Sequence, residues 1–163
     1  MKVQKALITG SFDPPTLGHL DIIKRACSLF DEVTVCIFRN SEKQYAFDEK
    51  ARLEMLGCLC KNLPNVRLDC SDRPVVLYAK ENSIKFIVKG VRNASDFEYE
   101  KTLHQAGNDI NPETETIILF ARPEFERVSS SVVREFLRYG LDTSAYLSPE
   151  VANIAKGGLR DKK

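Results

Sequence analysis

No apolar run in the chain approaches the roughly 20 residues that a membrane-spanning helix needs. The opening Met1-Lys2-Val3-Gln4 starts no secretory signal pattern either. These absences predict a cytoplasmic protein without a membrane partner. An excess of one charge is missing too: 24 Lys and Arg face 23 Asp and Glu in 163 residues, so no overall field draws the chain towards nucleic acid or an anionic surface. An anion site has to be built locally. The five cysteines, Cys27, Cys36, Cys58, Cys60 and Cys70, contain no CxxC or Cys/His ligand spacing. They read as reduced, mostly buried thiols rather than a disulfide or metal framework. Repeats and low-complexity segments are lacking, and nothing marks an internal boundary. With 43% hydrophobic residues, residues 1–163 read as one domain with a sizeable core.

What is present is an alternation of short apolar runs with segments whose apolar residues recur every three or four positions, the pattern of βαβ units and a parallel sheet. Strands are predicted at 3–9, 32–38, 66–70, 85–89 and 114–120. A first helix, 18–30, carries Ile22, Ile23, Ala26, Leu29 and Phe30 along one stripe. A second starts at Asp48, whose side chain can cap it, and presents Leu53, Leu56 and Leu59. A third begins near Pro74, and a fourth covers 95–106. A fifth runs from the serines at 129–131 to Tyr139, with Gly140 supplying a left-handed stop. Ser148-Pro149-Glu150 signals a sixth, and the segment from Gly157 to the end reads as a frayed tail. Right-handed crossovers then favour an open, doubly wound sheet, whose ligands sit beyond the carboxyl ends of the strands where strand order reverses.

At such a strand end lies GSFDPPTLGH, residues 10–19. Glycine lets a backbone approach an anion, and the start of a helix offers unpaired amides and partial positive charge. The stretch has neither the G-K-[ST] of a Walker loop nor a GxGxxG fingerprint. By themselves these residues leave two readings open, a phosphate cradle and a Pro-rich connection. Three further blocks bear on the choice: KGVRNASDFEYE at 89–100, RVSSSVVREFLR at 127–138, and Lys43 in the loop after the second strand. Adjacent serines before a helix can be caps, and a loop lysine is commonly a solvated side chain.

Thr16-Leu17-Gly18-His19 resembles the T/HxGH motif of the nucleotidyltransferase superfamily, with Thr where many relatives carry a first His. Residues 89–100 resemble the RGxRxxxDFEYE signature of the phosphopantetheine adenylyltransferase family, and 127–138 its ISSS/TxxR segment. The blocks follow the family's order along nearly the whole chain. The resemblance implies a Rossmann-like, doubly wound, five-stranded parallel sheet with helices on both faces and a C-terminal helical segment. It implies reversible transfer of adenylyl from ATP to 4'-phosphopantetheine, giving dephospho-CoA and pyrophosphate, with Mg²⁺ carried on the phosphates and a homohexameric assembly. His19 would stabilise the transition state and Lys43 would assist it. Ser11, Lys43, Val75 and Lys89 would meet the phosphopantetheine. Ser11, Phe12, His19, Gly90, Val91, Arg92, Glu100 and the run Phe125, Glu126, Arg127, Val128, Ser129, Ser130 and Ser131 would meet ATP. Lys89 departs from the family's usual Arg, which exchanges a bidentate fork for a point charge. His104 has no partner motif and reads as surface or packing. The competing readings are a sister enzyme acting on nicotinate or nicotinamide mononucleotide and a non-catalytic nucleotide-binding module.

Overall fold

The computed structural model describes residues 3–40 and 43–158. Five parallel strands, β1 (Lys5–Gly10), β2 (Glu32–Phe38), β3 (Val66–Ser71), β4 (Phe86–Val91) and β5 (Glu115–Phe120), form one sheet in the order β3-β2-β1-β4-β5. Between them run α1 (Leu17–Leu29), α2 (Glu49–Cys60), α3 (Val75–Glu81) and α4 (Ala94–Asn108), followed by α5 (Ser130–Arg138) and α6 (Pro149–Gly158). The chain winds outward from β1 to β3, then crosses back to β4 beside β1. This reversal opens a crevice at the carboxyl ends of β1 and β4, where Gly10 and Gly90 lie.

Strand residues alternate between the two faces of the sheet, so the continuous apolar runs supply two cores. Ala6, Ile8, Val33, Val35, Ile37 and Val88 pack with Ile23 and Ala26 of α1, Met55 and Leu56 of α2, Val133 of α5 and Val151 of α6. Leu7, Cys36 and Ile87 turn the other way, against Tyr78 and Ala79 of α3 and Ile84. Helix α4 buries none of its residues. The second face is therefore the more thinly covered.

Several sequence expectations change. The first strand begins at Lys5 and takes in Gly10, because Val3 is exposed while Gln4 exchanges backbone and side-chain bonds with Asp31. Leu29 is 60% exposed, so the α1 stripe stops at Ala26 and resumes with Phe30, which packs on Phe86. Gly157 and Gly158 belong to α6, with Gly158 against the Phe47 ring, rather than to a tail; 159–163 lie outside the described residues, as do Met1 and Lys2. Cys36 and Cys60 are buried, but Cys27, Cys58 and Cys70 are half-buried, and all five are free thiols. The caps match expectation: Asp48 accepts from the Ala51 amide, Ser129 from that of Val132, and Gly140 has φ 66°. Among the described residues no helix is long and apolar enough to cross a membrane.

Candidate active site

A cavity of about 340 Å³ occupies the crevice. Its walls come from the end of β1 and start of α1 (Phe12, Thr16, Gly18, His19), the end of β4 and start of α4 (Lys89, Gly90, Arg92, Asp96, Tyr99, Glu100) and the turn before α5 (Phe125, Val128, Ser129, Ser130, Ser131). Three sequence blocks far apart in the chain thus share one hollow.

His19 is fixed by the helix that carries it. Thr16 is the N-cap of α1: its Oγ1 accepts from the His19 amide at 3.3 Å, while its own backbone N–H donates to His19 Nδ1 at 2.9 Å. The two residues form a capping box in which the imidazole plays the part usually taken by Glu or Gln. Because Nδ1 accepts, the proton of a neutral ring sits on Nε2, leaving an N–H donor outside the cap. Burial, then the nearby Arg92 guanidinium, lowers the His19 pKa to about 4. The ring is neutral at physiological pH. It stands edge-on to Phe12, with centroids 5.0 Å apart. Phe12 is 2% exposed and has φ 47°, so it forms the floor of the cavity rather than a side-chain arm.

The glycines serve packing as well as access. A Cβ on Gly10 would meet the Phe12 ring at 3.0 Å, and one on Gly90 would meet Ile22 Cγ1 at 2.8 Å. The bare backbone at the end of β4 lets α1 approach the sheet.

The cations across the cavity are paired with acids from the same block. Lys89 Nζ lies 3.1 Å from Glu100 Oε2. Arg92 donates to Asp96 through its backbone N–H, Nε and Nη2 at 3.1, 2.9 and 3.3 Å, and this holds the Asp96 carboxyl below its usual range. The three serines divide their work. Ser129 caps α5, Ser130 Oγ donates to the Pro14 carbonyl at 2.8 Å, and Ser131 Oγ accepts from Arg134 at 3.1 Å.

Not every sequence candidate lines this hollow. Val91 is 1% exposed with its side chain in the core, so a ligand there could meet only backbone. Glu126 and Arg127 are exposed beside the cavity without lining it. Ser11 is half-buried, its carbonyl accepting from Arg52 Nη1 at 2.8 Å, and Lys43 is exposed on its loop. Val75 lies elsewhere: with Ile87, Leu103, His104 and Asn108 it lines a second cavity of about 260 Å³. The two cavities share Lys89 and Glu100. His104, read as surface or packing, bridges Thr116 Oγ1 and Asn108 Nδ2 at 3.0 and 3.1 Å in that second wall.

Sequence reasoning assigned no role to Asp96 and Tyr99, although both stand in the quoted signature and line the first cavity. It also missed Asp21, which is 8% exposed and takes Arg25 Nη1 and Arg122 Nε, each at 3.2 Å, while Arg25 Nη1 holds the Phe120 carbonyl at 2.8 Å. This links α1 to the end of β5. A polar residue interrupting the apolar stripe of α1 was the available signal.

A family model described as cytidylyltransferase-like matches residues 7–136. A phosphopantetheine adenylyltransferase of Thermotoga neapolitana is 42% identical over 158 residues, 97% of this chain and 98% of the relative. The chain belongs to the phosphopantetheine adenylyltransferase family. It is a nucleotidyltransferase by that membership. A second family member, from Symbiobacterium thermophilum, is 42% identical over 91% of each chain. Among solved structures, the Plasmodium falciparum nicotinic acid mononucleotide adenylyltransferase complexed with APC superposes with a TM-score of 0.70 at 16% identity, covering 94% of both chains. That likeness concerns the Rossmann-like fold alone.

Proposed function

We propose that the protein transfers adenylyl from ATP to 4'-phosphopantetheine, yielding dephospho-CoA and pyrophosphate. The observation that carries this reading is the pair of cavities meeting at Lys89 and Glu100, one lined by His19, Arg92 and the serine turn, the other walled by Val75, Ile87 and Leu103. ATP fits the first, between the α1 start, Arg92 and the serine turn. The apolar-walled second suits the acceptor's pantetheine arm, with the acceptor phosphate at the junction.

An oxygen of the acceptor phosphate forms a bond to the α-phosphorus as the bond to the β-phosphate oxygen breaks, and pyrophosphate leaves. The nucleophile is already anionic, so alignment and charge neutralisation carry the catalysis rather than a base or a covalent intermediate. His19 donates its Nε2 hydrogen to the α-phosphate as charge builds there. Because the ring is neutral and capped, it can do so without reorganising. Lys43 and Lys89 offset the repulsion between the two anions, with Ser11 beside the acceptor phosphate. Lys89 would exchange part of its bond to Glu100 for that phosphate.

Mg²⁺ belongs to this reading as an ion brought by the nucleotide. Such an ion would be held chiefly by the triphosphate oxygens, which it would help to neutralise. A cytoplasmic location and a homohexamer complete the proposal. Exposed Phe97 and Leu103 on the uncovered α4, with Ile110 just beyond it, offer an apolar surface for self-association.

Incubation with ATP, Mg²⁺ and either 4'-phosphopantetheine or a nicotinate or nicotinamide mononucleotide tests the assignment through pyrophosphate release. Release with phosphopantetheine alone is expected. Release with a mononucleotide would assign the sister reaction, and no release with any acceptor would mean a nucleotide-binding module.

A further inference from the structure

Asp13 sits at the centre of the first motif, yet the mechanism above gives it no part. It is 4% exposed. Its Oδ2 accepts the Ala46 amide and its Oδ1 the Phe47 amide, both at 2.9 Å. Phe47 itself is fully buried, so these bonds pin the loop that carries Lys43 at a point three residues beyond that lysine. From the opposite side Arg134 of α5 donates Nη1 to the Asp13 carbonyl at 2.7 Å and approaches Oδ2 at 3.8 Å, while its Nη2 bonds Ser131. A carboxylate this deep is costly unless its oxygens are satisfied, and here two amides bond them while the guanidinium beside Oδ2 offsets the charge. Each partner comes from a segment that bears a candidate phosphate ligand.

We propose that Asp13 is a positioning residue that fixes the Lys43 loop and the serine turn before α5 to the same end of β1, setting where Lys43 can reach. The proposal rests on the phosphate role proposed for Lys43. Asp13 touches no substrate in this scheme; it acts through the backbone at Ala46 and Phe47. Its carboxylate matches two neighbouring N–H groups, a match an amide side chain cannot reproduce because one of its two polar atoms is itself a donor.

A double-mutant cycle on the full-length protein tests this, with kcat measured for Asp13→Asn, Lys43→Ala and the double variant. A small misplacement of a charged group costs turnover heavily, so Asp13→Asn should lower kcat by about tenfold or more. In the Lys43→Ala background it should add less than about twofold, because residues acting as one unit are not additive. An equal loss in both backgrounds would overturn the positioning role while leaving Lys43's role intact. Lys43→Ala with unchanged kcat would instead remove the role of Lys43, and the inference with it. If Asp13→Asn does not fold, a glycine inserted between Gln44 and Tyr45 lengthens the tether while sparing the Asp13 bonds. That variant should keep its thermal midpoint and lose as much kcat as Lys43→Ala; an undiminished kcat would reject the proposal.

Discussion

The two motifs that face each other across the larger cavity are held by different kinds of bond. In residues 10–19, Asp13 bonds to amides 33 and 34 positions away, and the Pro14 carbonyl accepts from a serine 116 positions away. In residues 89–100, Lys89 and Arg92 find carboxylates 11 and 4 positions further along their own segment. The first motif is built into the core and the second carries its own counter-charges. An embedded segment can hold a hydrogen-bond donor still while charge develops. A self-paired segment can release a cation to an arriving phosphate without disturbing the sheet.

The strongest way to test this contrast is His19→Ala. Turnover should fall by about 10²-fold or more while ATP affinity stays within about tenfold, since the contact tightens mainly in the transition state. Pyrophosphate release and calorimetric ATP binding report the two quantities, and unchanged turnover would take His19 out of the mechanism. The pH profile sharpens the same point. With a native pKa of about 4 in the free enzyme against about 6.5 in the unfolded chain, the ring's contribution to kcat/KM should be level from neutrality to near pH 5 and fall towards pH 4. Stability follows the same sign: the unfolded state takes up the proton first, so His19 favours folding above pH 6.5, and this contribution declines down to about pH 4. His19→Gln should flatten that acid limb in denaturant titrations.

Gly90 is where the self-contained motif does depend on the core, so Gly90→Ala should behave like a first-motif lesion. With Ile22 2.8 Å from the added Cβ, overpacking should cost about 1–3 kcal/mol in chemical denaturation. Adding Ile22→Ala should relieve the clash itself, so the double variant should be more stable than the sum of the two single losses. Strict additivity would mean that α1 and β4 do not meet as closely as described.

The next comparison pairs Arg92→Ala with Thr16→Ala. Loss of the half-exposed Arg92–Asp96 pair should change stability by less than about 0.5 kcal/mol while raising the ATP KM by roughly tenfold, the scale of one charge-assisted phosphate contact. Loss of the Thr16 cap should cost about 1 kcal/mol of stability. Equal stability losses would erase the distinction between the motifs. The smallest effect expected is for Lys89→Arg. A bidentate fork at that position should lower the phosphopantetheine KM about two- to fivefold, in line with the stronger geometry of guanidinium–phosphate pairs. An unchanged KM would assign the acceptor phosphate to another group.

The contrast also explains what could be read in advance. The cations Lys89 and Arg92 and their acids Asp96 and Glu100 lie within one 12-residue segment, and their helix start obeys local capping rules. Alternating strands and periodic helices were legible for the same reason: burial imposes a period on neighbouring residues. The expectation that Val75 meets the pantetheine arm had no local signal to guide it, and the structure sets Val75 in a separate cavity that shares Lys89 and Glu100 with the first. Leu29 carried the right period for the α1 stripe, but it is exposed and Phe30 packs on Phe86 of β4 instead.

The sequence by itself determined the order of strands and helices, the caps at Asp48 and Ser129, the turn at Gly140 and the three blocks that line the site. Each depends on residues within a few turns of one another. Only the tertiary structure decided how far burial and Arg92 lower the His19 pKa, which amides Asp13 binds, why Gly90 must lack a side chain and how two cavities meet at Lys89 and Glu100. These are set by distances between segments that the chain brings together when α1 closes onto the crevice between β1 and β4. A carboxylate or an imidazole takes its chemistry from whatever surrounds it there.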